Sequence, residues 1–178
     1  MNFIQDEDSQ QLQEMYRDFA EKEVKPIAKE IDESMRFPSE NIPKMAEMGL
    51  LGIPFPEEFG GAGMTTLSYI QCVEELSKVC ATTGVIVSAH TSLCATPIYT
   101  YGTDAQKEKY LKPLASGEQL GAFALTEPVA GTDASMQKST AVLEGDHYVL
   151  NGSKIFITNA GFADVYIVFA MTDKSKGT

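Results

Sequence analysis

No apolar run in the 178-residue sequence approaches the roughly 20 residues a helix needs to cross a bilayer. Basic residues are scarce: 14 Lys and Arg stand against 25 Asp and Glu, for a net charge of −11. That balance argues against a nucleic-acid backbone or an anionic membrane surface as partner. The amino terminus, MNFIQDEDSQQL, lacks both the basic start and the apolar centre of a secretion signal. A cytoplasmic, prokaryotic-type protein is therefore expected, although a processed organelle protein would read the same. Cysteine is sparse too. Cys72, Cys80 and Cys94 form no CxxC pair and lie in apolar stretches that read as helical, which implies reduced, buried thiols. The two histidines, His90 and His147, are far apart and read as core or surface residues, so no metal site is expected.

What the sequence does contain is 43% hydrophobic residues with ample Gly and Pro, enough for one good domain or one domain and part of another. Asp8 or Ser9 can cap a first helix carrying Leu12, Met15, Tyr16, Phe19 and Ala20 at helical spacing, with Val24, Ile27 and Ile31 extending the stripe. Pro26 falls inside that stripe and should kink or interrupt it. A second helix is expected over 39–48, ended by Gly49. The Gly- and Pro-dense stretch 52–63 reads as irregular. A third helix should start near Thr65 or Thr66. A fourth, over about 81–101, is apolar almost all round and should be buried on most sides, with Pro97 as a bend or the mark of a restart. Thr103 and Gln106 form a capping box for a fifth helix, which Pro113 should stop.

After Gly117 the pattern changes to strands: 121–125, 139–143, 147–150, 153–158 and 165–170. Glu144-Gly145-Asp146 reads as a turn, and Asn151-Gly152 as a tight hairpin. Helices first and antiparallel strands second define an α+β class: an amino-terminal helical domain over 1–117, then an incomplete β-sheet or barrel domain over 118–178. The stretch 165–171 is apolar on both faces and reads as a central strand, which hints that more protein follows.

Two segments stand out. In AFALTEPVAGTDAS (122–135), an apolar strand ends at Thr126, Glu127 and Pro128, because proline donates nothing to a ladder and biases its predecessor away from helix. Gly131, Thr132 and Asp133 follow in a loop whose backbone N–H groups and hydroxyls can hold an anionic group. In KIFITN (154–159), alternation puts Lys154, Phe156 and Thr158 on one face and Ile155 and Ile157 on the other. A planar heterocycle could rest on that first face and hydrogen-bond to Thr158. An ordinary hairpin with Phe156 in a core fits the same alternation.

Together the two segments resemble the flavin-binding signatures of the acyl-CoA dehydrogenase family, and EEFGGAG (57–63) extends the resemblance across essentially the whole chain, nearest to bacterial short-chain, butyryl-type members. The resemblance implies FAD as cofactor. It implies Phe123 and Leu125 beside the flavin, Thr126 at its N1/O2 edge, and Gly131 and Thr132 at the pyrophosphate, with Thr132 also near the substrate's CoA. It implies Phe156, Ile157 and Thr158 flanking the ring, the Thr158 hydroxyl near N5 and O4. Many members carry Trp where this chain has Phe156. Ala89 and Leu93, one helical turn apart, would wall part of an acyl pocket, or simply pack in a core. The implied reaction oxidises a short-chain acyl-CoA to the trans-2-enoyl-CoA, with electrons leaving to an electron-transferring flavoprotein and a homotetramer as the assembly. The glutamate base of that reaction belongs to a carboxy-terminal helical domain outside these residues, so the 178 residues alone are expected to be inactive. Glu127 reads as a loop-orienting carboxylate. An acyl-CoA oxidase-like flavoprotein, or a cofactor-free helical interaction module, are the competing readings.

Overall fold

The structure is a computed structural model, and it describes residues 7–176. Helix α1 (Glu7–Phe19) runs through a wide, π-helical turn, Ala20–Val24, into α2 (Lys25–Ser34). Asp8 and Ser9 lie inside the first turn of α1 rather than capping it. The same device recurs twice. A π-helical stretch, Ala89–Ala95, joins α5 (Ala81–Ser88) to α6 (Thr96–Tyr101), and another, Lys107–Leu111, joins α7 (Asp104–Gln106) to α8 (Lys112–Ala115). Each wide turn ends two residues before a proline: Pro26, Pro97 or Pro113. A proline ring clashes with the carbonyl one turn back and leaves it without its donor; widening that turn moves the carbonyl aside. Pro113 therefore does not stop its helix, which continues to Ala115.

The remaining helices are α3 (Asn41–Glu47) and α4 (Thr66–Val79). The Thr65 side chain caps α4 by accepting from the Ser68 N–H at 3.2 Å, and Thr103 and Gln106 form the expected capping box. Cys80 sits in extended backbone between α4 and α5, outside any helix. All three thiols are buried, and burial pushes Cys72 up to about 12 and Cys94 to about 11. Tyr16, Phe19, Met45, Leu50, Leu51, Leu76 and Val87 form one core among the helices. A second core, Phe55, Cys94, Ile98, Leu111 and Leu114, receives Val165 and Ile167 from the β region. The fourth helical run is buried over most of its length, as expected, with Val85 and Leu93 exposed and Tyr101 protruding at its end.

Loop 52–63 is irregular but tightly folded back. The N–H groups of Ala62, Gly63 and Met64 donate to the carbonyls of Gly52, Phe55 and Ile53. A Cβ on Gly61 would lie 2.1 Å from the Phe55 carbonyl oxygen, so the backbone approach itself demands glycine. Gly61→Ala is expected to cost about 1–3 kcal/mol, seen as a lower midpoint in urea unfolding.

Among the described residues the β region has four short strands: β1 (Gly121–Ala124), β2 (Thr140–Glu144), β3 (His147–Asn151) and β4 (Val165–Val168). The order of helices then strands is as expected. β2 and β3 form an antiparallel hairpin about Gly145-Asp146, with Val142 opposite Val149. β1 and β4, however, pair in parallel, Gly121 opposite Val165 and Ala124 opposite Val168. The connection that contains the hairpin is long enough to bring the chain back in the same direction, so the antiparallel expectation fails for this pair. Asn151-Gly152 is not a turn. Asn151 ends β3, and Gly152 is there because a Cβ would lie 2.1 Å from the Ser139 hydroxyl oxygen.

Candidate functional site

Residues 153–158 are not a regular strand, contrary to the alternation in sequence. Phe156 has φ 56° and Asn159 φ 69°, both left-handed, and either breaks a pleat. The segment nevertheless runs alongside 121–126 in the opposite direction. The Ile155 N–H donates to the Thr126 carbonyl at 2.9 Å, and the Asn159 side-chain amide donates to the Gly121 carbonyl at 2.9 Å. The two sequence-predicted segments are thus brought side by side and fastened at both ends.

Glu127 and Lys154 make the strongest of these fastenings. Glu127 is buried, and Lys154, itself mostly buried, lies 2.7 Å from its Oε1 and also donates to the Leu125 carbonyl at 2.9 Å. The carboxylate also accepts the backbone N–H groups of Lys138 (2.6 Å) and Ser139 (3.0 Å). The ammonium group beside it, with those N–H donors, pulls the Glu127 carboxyl down to about 2. Glu127 and Ala130 exchange backbone hydrogen bonds at 3.0 and 3.1 Å, closing a tight turn around Pro128 and Val129. Glu127 is therefore the loop-orienting carboxylate expected. The role of Lys154 is not visible in the sequence pattern. A single lysine leading into the apolar run Ile155-Phe156-Ile157, in a segment meant to pack, was the available signal.

The candidate cofactor residues fall along this paired structure. Phe123 lies in β1, edge-on to Phe169 with ring centroids 5.3 Å apart. Leu125, Thr126, Ile157 and Thr158 are partly buried. The hydroxyls of Thr126 and Thr158 make no hydrogen bond within the described residues. Phe156 is 88% exposed, its ring presented outward by a left-handed backbone that is costly for a bulky residue. It is not a core residue. Gly131 and Thr132 are exposed, and a Cβ at Gly131 would meet nothing within 4 Å. An unpaired hydroxyl on each segment, an outward flat ring and an open glycine loop are chemically suited to a planar heterocycle with an anionic tail.

Ala89 and Leu93 share the π-helical stretch but not an environment: Ala89 is buried, and Leu93 is 42% exposed. Between them, His90 is fully buried. Its Nδ1 accepts the Gly121 N–H at 3.0 Å, which fixes the ring proton on Nε2, and that donates to the Leu114 carbonyl at 3.2 Å. Burial holds the imidazole at about 4, below its ordinary range, and therefore neutral at pH 7. A cavity of about 530 Å³ between α6 and β4, lined by Ile98, Tyr101, Tyr110, Tyr166 and Ile167, includes none of the candidate cofactor residues. Among the described residues, no cluster of His, Cys, Asp and Glu is grouped to hold a metal, and no helix is long and apolar enough to cross a membrane.

This fold and paired motif are those of a known family. Residues 6–118 match the amino-terminal domain of acyl-CoA dehydrogenases and residues 122–178 match the middle domain. The chain belongs to the acyl-CoA dehydrogenase family. It is 63% identical, over its whole length and 47% of the relative, to the short-chain specific acyl-CoA dehydrogenase of Clostridium acetobutylicum. Among solved structures, it superposes with a TM-score of 0.94 and 50% identity on butyryl-CoA dehydrogenase from Megasphaera elsdenii, covering 99% of this chain and 47% of that one. A chain from the structural study of the electron-transferring flavoprotein of Acidaminococcus fermentans, concerned with flavin-based electron bifurcation, matches at TM-score 0.96 and 58% identity, again over 99% and 47%. The chain thus spans about half the length of the relatives it matches.

Proposed function

We propose that these residues are the amino-terminal part of an FAD-dependent acyl-CoA dehydrogenase that oxidises short-chain acyl-CoA to trans-2-enoyl-CoA and passes electrons to an electron-transferring flavoprotein. The observation that carries the reading is the lateral fastening of the two motif segments, Thr126 to Ile155 and Glu127 to Lys154, in a chain of this family. The short-chain and butyryl specificities named for its relatives support the substrate class, and the flavoprotein study supports the electron acceptor. FAD supplies a hydride acceptor when bound. The chain's own part is to orient and to bind. Thr126 and Thr158 offer hydroxyl donors from the two segments, Phe123, Leu125 and Ile157 supply apolar contact, and the Phe156 ring offers a flat face. Gly131 and Thr132 receive the pyrophosphate through backbone N–H groups, and Thr132 reaches toward CoA. Ala89 contributes a small wall to the acyl pocket, and exposed Leu93 lies where a further element would complete it.

The glutamate that takes the α proton lies outside these residues, and Glu127, ion-paired and fully engaged, does not replace it. We assign the helical domain to 1–117, the β domain to 118–178, and a cytoplasmic homotetramer to the full-length protein. The test mixes butyryl-CoA and a dye acceptor with each form. The full-length protein should reduce the dye, and residues 1–178 alone should not. Robust dye reduction by the short form would show that the base assignment is wrong.

A further inference from the structure

Two buried polar side chains from different parts of the fold grip the same residue, one on each of its flanking peptide groups. The His90 ring accepts the N–H of Gly121, and the Asn159 amide donates to its carbonyl. The Asn159 amide also donates to the Ile86 carbonyl of α5 at 3.2 Å. Gly121 opens β1, and a Cβ there would lie 2.7 Å from Cβ and Sγ of Cys94, so this residue is wedged against the helix as well as bonded. Asn159 directly follows Thr158, and β1 leads to Thr126. One amide therefore references both threonine-bearing segments to a single point on the helix that carries Ala89.

Asn159 holds this place at a cost. Its left-handed backbone, φ 69°, is one that asparagine tolerates, but its Oδ1 is buried without a partner among the described residues. The rest of the turn is braced independently. Phe162 stacks on Phe37 with ring centroids 4.1 Å apart, and the N–H groups of Phe162 and Ala163 donate to the Asn159 carbonyl. The side-chain amide is thus surplus to holding the turn, and its effect falls on the spacing of the two segments.

We propose that Asn159 is a positioning residue for the flavin. Through Gly121 and Ile86 it fixes the Thr158 segment against the Thr126 segment, and so sets how the two hydroxyls meet the ring. This rests on the flavin reading above.

The test uses the full-length protein with two substitutions. Asn159→Gly keeps the left-handed backbone and removes the amide; Asn159→Asp keeps the shape and the left-handed tolerance but removes the NH₂ donor, leaving an acceptor facing two carbonyls. FAD affinity is measured by titration, and the flavin spectrum and two-electron potential are read at saturating FAD on folded protein, checked by circular dichroism. At least one variant is expected to fold. It should bind oxidised FAD about tenfold more weakly and shift the potential by about 30 mV, the two-electron equivalent of a tenfold change in the relative affinity for oxidised and reduced flavin. A merely structural asparagine would lower the melting temperature yet leave spectrum and potential at saturation as in the unmodified protein, and that result overturns the inference alone. If both variants fail to fold, the amide is needed for the turn itself and the inference is likewise overturned. An unmodified full-length protein that takes up no FAD overturns the flavin reading and this inference with it.

Discussion

Replacing Lys154 with methionine is expected to lower the melting temperature by roughly 10 °C, far more than loss of any surface ion pair in the chain. The substitution leaves the Glu127 carboxylate buried, with two backbone donors and no cation. Removing one member of a buried pair strands the other. Exposed pairs such as Lys22–Asp18 contribute little, because water already solvates both partners. The paired change Glu127→Gln with Lys154→Met should destabilise less than the single Lys154→Met, since it strands no charge, and a double-mutant cycle by urea unfolding reads that difference. Acid behaviour follows with a defined sign. The folded-state carboxyl sits at about 2, below the ordinary carboxylate value, so its contribution is full above that ordinary value and is lost as pH falls through about 2. In Lys154→Met that loss should begin at higher pH.

His90→Leu is the second large effect. It leaves the Gly121 N–H and the Leu114 carbonyl without partners in a fully buried place. At about 1–3 kcal/mol for each of the two unmade hydrogen bonds, a loss of about 2–6 kcal/mol is expected at pH 7. The same residue carries a pH dependence. Its folded-state value of about 4 lies below the 6.5 of a free imidazole, so the unfolded chain binds the extra proton first. Stability is therefore fully present above 6.5 and falls as pH drops from 6.5 to 4, by on the order of 3 kcal/mol. Urea midpoints at pH 7 and pH 5 measure it. The difference between those midpoints should shrink in the leucine variant, which has no imidazole to titrate.

Much of the helical half was legible in the sequence, because capping residues and apolar spacing act locally: Thr65, Gly49 and the Thr103–Gln106 box all lie where the pattern put them. Pro26 and Pro97 stand where one helical segment gives way to the next, as the sequence implies; Pro113 misled, since a proline forbids one hydrogen bond but not a wide turn that avoids it. In the β region the local signals lost to tertiary placement. Asn151-Gly152 has the composition of a hairpin turn, yet Gly152 serves a close approach to Ser139. The alternation over 153–158 suggested a strand, and left-handed Phe156, with Asn159 just after it, undoes it. Pairing direction between β1 and β4 was not written locally at all. At the site, the residue types and their motif spacing were legible, but the polar fastenings were not. His90 and Asn159 meet at Gly121 across 31 and 38 residues of sequence, and no window of neighbours reveals such a meeting.

The most direct test of the account is an FAD titration of the full-length protein carrying both Thr126→Val and Thr158→Val, followed by absorbance. Valine keeps the shape of threonine and removes the hydroxyl, so the fold should survive while the two unpaired donors vanish. We expect FAD to bind at least about tenfold more weakly, with an altered flavin spectrum at saturation. Unchanged affinity together with an unchanged spectrum would contradict the claim that these two segments hold one flavin between them.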